Sequence, residues 1–185
     1  MATTLIVEDG TVVANANAFV SLATCDTYHT LRGNATWTGT DALKEAAIIQ
    51  ATFYLDRLRW KGFKTGMSNP LAWPRYGNDV SGWNGMVSPA SPLMGVVDED
   101  GYDVGAATVP KKVQDATCEM ALRFLTGAVP EPDLDRGGKI KSQTIDVISI
   151  TYESGASPVP VYTVLKNLLR GLLQSSATVE LQLGM

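Results

Sequence analysis

The sequence predicts a mainly α, α+β fold: a bundle of about four helices with small β-hairpins, a long Pro/Gly/Trp loop and an extended C-terminal tail. Three observations carry this reading. Apolar residues recur at helical spacing over 43–58, 113–124 and 161–172. Glycines and prolines interrupt every regular pattern between 62 and 95. Ile148, Ile150 and Tyr152 alternate as a half-buried strand does.

Leu5-Ile6-Val7, then Glu8-Asp9-Gly10-Thr11 and Val12-Val13, fit a small hairpin or an extended arm. Ser21 suits the cap of a first helix over 22–31, which Gly33 stops. Thr40 suits the cap of a second helix over 41–59. Its stripe is Leu43, Ala47, Ala51, Tyr54, Leu55 and Leu58, and Arg57, Arg59 and Lys61 gather at its negative end. Residues 62–109 form a long excursion with Trp73 and Trp83 in it, and a loop of that length in a compact domain usually has a task. Within it, Asp98-Glu99-Asp100-Gly101 reads as a hairpin turn between Val96-Val97 and Tyr102-Asp103-Val104.

Pro110 opens a third helix whose buried stripe is Val113, Ala116, Thr117, Met120, Ala121 and Phe124; Gly127 and Pro130 end it. Two short strands follow near 139–144 and 146–152. After Pro158 and Pro160 comes a fourth helix with a wide face of Val161, Val164, Leu165, Leu168, Leu169 and Leu172. The chain is expected to be a single helical domain over 1–175, with the loop 62–109 and the hairpin 139–152 set into it. An extended tail over 176–185 follows, where Val179, Leu181 and Leu183 alternate with polar residues.

Composition narrows the function classes. Fifteen Lys and Arg against nineteen Asp and Glu give a net charge of −4. A protein that wraps nucleic acid needs a basic excess somewhere. Two cysteines, Cys25 and Cys118, build neither a disulfide framework nor a four-thiolate zinc site, and each reads as a buried thiol. The first residues lack the pattern of a signal peptide, no apolar run is long enough to span a membrane, and folding in a reducing cytoplasm is expected. No catalytic set is legible. His29 is the one histidine, there is no Gly-x-Ser-x-Gly elbow, and Gly137-Gly138-Lys139 lacks the rest of a phosphate loop. In 98–109 the glycine stands at position 4 and a valine at position 12, which does not make a calcium loop. No enzyme activity, metal or cofactor is expected.

One cluster interleaves cations with aromatics: Arg57, Arg59, Trp60, Lys61, Phe63 and Lys64. Single-strand binders use this mixture, with rings stacking on bases and cations following the backbone. The same residues also fit a basic helix end whose stems cover a buried tryptophan, and the acidic balance of the chain favours that simpler reading. Leu71-Ala72-Trp73-Pro74-Arg75 is a stiff extended segment suited to anchoring the loop, on its own core or on a neighbour.

Several stretches, in order, resemble a known family. They are 6–10 with 14–20, Tyr28-His29-Thr30-Leu31-Arg32-Gly33, 51–56, Trp60-Lys61-Gly62, Leu71–Arg75, Val109-Pro110, 147–153 and the Leu-rich closing helix. The family is that of tailed-bacteriophage and prophage head–tail connector (adaptor) proteins, also labelled DnaT-like single-stranded DNA-binding proteins. The resemblance covers most of 4–173, although 77–95 is longer than the family leads one to expect. It implies a non-enzymatic virion subunit, made in the host bacterial cytoplasm. That subunit forms a homo-oligomeric ring of about twelve copies below the portal and joins capsid to tail. Its partners would be itself, the portal protein, a tail-proximal connector or stopper, and DNA passing through the channel without specific binding; no membrane is involved. Subunit or portal contacts are then expected from Trp73, Pro74, Arg75, Trp83, Val147, Ile148, Val179, Leu181 and Leu183. The alternative is a single-stranded DNA-binding replication protein, with Arg57, Arg59, Trp60, Lys61 and Lys64 on the DNA.

Overall fold

Ser21 and Thr40 open the first two helices as their side chains dictate. In the structure, a computed structural model that describes residues 5–77, 95–130, 142–145, 148–151 and 160–174, each hydroxyl accepts from the backbone N–H three residues on, at Thr24 and at Leu43. Helix α1 spans Leu22–Leu31 and α2 spans Asp41–Asp56. Two short strands follow, β1 (Phe63–Lys64) and β2 (Arg75–Tyr76), then α3 (Lys111–Leu125), the strands β3 (Ser142–Ile145) and β4 (Ile148–Thr151), and α4 (Thr163–Leu168). Regular structure among the described residues is thus mostly helical, with two small antiparallel sheets, β1–β2 and β3–β4.

Helices α2 and α3 are the principal packed pair, and α1 and α4 both lie against α3. The buried positions on α2 are Ala47, Ile48, Ala51, Thr52 and Leu55, and on α3 Val113, Ala116, Thr117, Cys118, Met120 and Ala121. Alanine at four of these positions removes side-chain bulk between the two helices. The buried face of α2 is rotated from the expected one, and Leu43 is exposed. Thr52 is buried instead, and its hydroxyl accepts the Phe19 N–H at 3.3 Å.

The N-terminal arm is neither a hairpin nor extended. Glu8 is buried, and its carboxylate gathers three backbone N–H groups: Gly10 and Val12 on Oε1 and Val13 on Oε2, each at 2.9 Å. Converging three amides on one carboxylate curls the chain into a nest. Gly10 takes φ +107°, where a Cβ would stand 2.2 Å from the Ala107 carbonyl oxygen. Val12 takes φ 65°, a costly conformation for a β-branched residue, and its amide is held by Glu8. The arm then returns so that Val7 bridges Ala18 in parallel.

The helix α2 and α4 boundaries differ from those expected, and the hairpin turn expected at 98–101 is present. Helix α2 stops at Asp56 rather than 59, because the chain turns at Arg57 to bring Trp60 inward. The described parts of 62–109 are ordered by pairing: β1 with β2, Tyr76 with Gly95, and Val97 with Asp103 across the expected 98–101 turn. Helix α4 is six residues long; Leu165, Leu169 and Leu172 are buried, while Val161 and Val164 face outward. Beyond it, residues 172–174 run antiparallel to 59–61, through Lys61 N–H to Leu172 O and Gln174 N–H to Arg59 O, both 2.9 Å. The expected strand pair near 139–152 is present, with Ser142 opposite Thr151 and Ile145 opposite Ile148. Trp83, Val147, Val179, Leu181 and Leu183 lie outside the described residues. Among the described residues no helix is long and apolar enough to cross a membrane.

Candidate nucleic-acid interface

The basic, aromatic segment begins at the C-terminal end of α2, where four carbonyls lack intrahelical donors. Trp60 supplies one donor: its indole N–H reaches the Leu55 carbonyl at 3.0 Å. The ring is 3% exposed and meets Trp73 edge to face, with centroids 5.5 Å apart. Trp60 therefore has no face for a base: the simpler reading of the cluster, a buried tryptophan at a basic helix end, holds for this residue, and its place on the DNA in the alternative reading is corrected. Its indole is spent on the helix end and the core.

Trp73, Pro74 and Arg75 are likewise turned inward. Trp73 and Pro74 are buried. The Arg75 guanidinium donates to three carbonyls of its own chain: Lys61 at 2.8 Å, Gly62 at 2.6 Å and Ala72 at 3.0 Å. Burial holds its pKa below the usual arginine value. The Asp56 carboxylate accepts the Ala72 N–H. Of the two anchorages the sequence allows this segment, the structure uses the chain's own core. Trp73 and Pro74 have no surface left for a neighbouring subunit, which corrects their assignment as interface residues.

Outside this anchored layer the cluster does present a surface. Arg57, Arg59 and Lys64 are exposed and Lys61 is half-buried. Strands β1 and β2 set Phe63 directly opposite Tyr76 and Lys64 opposite Arg75. The Phe63 and Tyr76 rings lie 5.7 Å apart at 38°, with Phe63 55% exposed. Gly62 makes this ribbon possible. At φ +67° it passes so close to β2 that a Cβ would sit 2.1 Å from the Tyr76 carbonyl oxygen. One helical turn before the end of α2, Phe53 is 60% exposed, and the Arg57 guanidinium lies 4.0 Å from its ring centroid. Phe53 and Phe63 are thus both exposed aromatic rings, Phe63 followed by Lys64 and Phe53 with the Arg57 guanidinium over it. Phe53 and Tyr76 escape a sequence scan that looks only for a contiguous run. The i, i+4 spacing of Phe53 and Arg57 is the signal that would have found the first.

His29 is committed elsewhere. It is 1% exposed, and its Nε2 lies 3.1 Å from the Cys118 carbonyl, which can only accept. The proton therefore sits on Nε2, and Nδ1 accepts from the Asn34 side-chain amide at 2.9 Å. Burial pushes its pKa below 6.5, so the ring is neutral. Among the described residues no group of three or more His, Cys, Asp or Glu side chains is placed to hold a metal ion. An open cavity of about 550 Å³ is lined by Thr65, 10–12 and 105–108, with no charged side chain among them.

A family model described as "Putative DnaT-like ssDNA binding protein" matches residues 3–90 and 88–184. The chain belongs to this family. Of the two labels carried by the resemblance in the sequence, the match bears the DnaT-like one; the head–tail connector label draws no support from it. No curated protein and no solved structure matches the chain.

Proposed function

We propose that this chain binds single-stranded DNA without sequence preference, through the surface that joins the end of α2 to the β1–β2 ribbon. The carrying observation is Phe63, exposed beside Tyr76 on the ribbon and followed by Lys64, in a chain of the DnaT-like family. Phe63 and Phe53 would stack on bases, while Arg57, Arg59, Lys61 and Lys64 would follow the phosphates. With a net charge of −4 over the whole molecule, binding must be local to this patch. The test is a fluorescence-anisotropy titration with a labelled oligo-dT. Micromolar binding is expected, with a log–log salt slope of about −2 to −3 for three or four neutralised phosphates. Absence of binding at about 50 mM salt would overturn the reading, because screening is weak there.

A second reading, an oligomeric adaptor around a DNA channel, has a different support. The acidic balance suits a lumen that repels phosphate, and Leu31, Leu43, Val129 and Val161 are exposed apolar side chains outside the cationic segment in sequence. Sedimentation of the purified protein separates the two: a ring sediments as a large closed oligomer, and the DNA-binding reading needs none.

A further inference from the structure

Cys25 on α1 and Cys118 on α3 are the two cysteines of the chain, 93 residues apart in sequence. The fold brings their Sγ atoms to 2.6 Å from each other in the core, with Cys25 0% and Cys118 1% exposed. The helices that carry them are held in register by two further contacts. The Tyr28 hydroxyl donates to Glu119 at 3.0 Å, and His29 donates to the carbonyl of Cys118 itself. Two sulfurs fixed face to face on two packed helices lack the further ligands a tetrahedral metal requires, and no such group lies among the described residues. What their placement does suit is a bond to each other.

We propose that Cys25 and Cys118 form a reversible disulfide that staples α1 to α3 when the protein meets a small-molecule disulfide such as oxidised glutathione. One cysteine thiolate attacks the oxidant, forming a mixed disulfide and releasing one thiol. The second cysteine displaces the other, so two protein thiols are oxidised and one glutathione disulfide is reduced to two thiols. The contact between the two thiols and their burial both push the Cys25 ionisation well above its ordinary range. Attack by the closed native state is therefore slow, and exchange proceeds through opening of the α1–α3 contact or during folding. The bond, once made, is sheltered from reductants by the same burial. It would restrict the unfolded chain by closing a long loop.

The test uses the full chain refolded in a glutathione redox buffer and, separately, in dithiothreitol. Each sample is then denatured and treated with a maleimide reagent. After oxidation, no thiol should label, the Cys25 and Cys118 peptides should be found cross-linked within one chain, and the melting temperature should exceed that of the reduced protein by about 5–10 °C. The Cys118→Ala variant, checked for folding by circular dichroism, should melt at the same temperature in both buffers. Two labelled thiols after oxidation, cross-links only between chains, or a linked protein that melts no higher than the reduced one would overturn the proposal.

Discussion

The indole N–H of Trp60 donates to the Leu55 carbonyl at 3.0 Å, so the largest ring of the basic cluster closes the end of its own helix. This relationship separates residues that hold the segment in place from residues that face outward. Trp60→Phe keeps an apolar ring but removes one donor from the Leu55 carbonyl, which retains the Leu58 N–H at 3.1 Å. The expected cost is about 0.5–1.5 kcal/mol, and Trp60→Ala should cost about 3–5 kcal/mol. Urea denaturation reads both. A stability change within error for Trp60→Ala would contradict the assignment.

Glu8 predicts a second sensitivity. Its two oxygens satisfy three amides of the N-terminal nest, and Glu8→Ala strands all three. A loss of about 2–4 kcal/mol is expected. Gly10→Ala should be of similar severity, because φ +107° and the Ala107 carbonyl both oppose a Cβ. Thr11→Ala, on the exposed residue that follows Gly10, should cost far less. Denaturation midpoints of the three variants check the ranking.

His29 predicts a pH dependence. Its folded pKa is depressed by burial below the unfolded value near 6.5, with Arg32 lowering it further and Glu119 and Asp26 opposing. The unfolded state then binds the extra proton. The stability contribution is complete above pH 6.5 and is lost as pH falls from there toward the folded pKa. Comparing unfolding at pH 7.5 and 5.5 should show native protein losing more stability than His29→Gln. Equal losses in the two proteins would show that the ring does not titrate as described.

Much of the fold is legible in the sequence because local chemistry specifies it. Ser21 and Thr40 mark both helix starts, and the stripe from Val113 to Ala121 names the buried face of α3. What escapes depends on distant partners. Helix α2 ends early because Trp60 finds Trp73 and Arg75 finds the carbonyls of 61–62, contacts that no spacing rule encodes. Leu43 fits the apolar stripe yet is exposed, since tertiary packing selects the Ile48–Thr52 side of the helix. The cationic cluster is visible in the sequence as a segment, but which of its rings faces outward is not: the single-strand-binding reading places Trp60 and not Phe63 on the DNA, and burial, 3% against 55%, reverses the two.

A charge variant reports on the phosphate contacts. Arg57→Gln with Lys64→Gln removes two exposed cations without touching the core. The salt slope of oligo-dT binding should become shallower by about 1–1.5, with folding stability nearly unchanged. An unaltered slope would remove these two residues from the interface.

The most direct test of the account is oligo-dT affinity of Phe63→Ala, measured by anisotropy beside the native protein at one salt concentration. Phe63 is exposed, so the variant should fold normally, and loss of one stacked base should weaken binding by about 5- to 100-fold. Full affinity in a folded Phe63→Ala protein would contradict the claim that this ribbon is where single-stranded DNA is held.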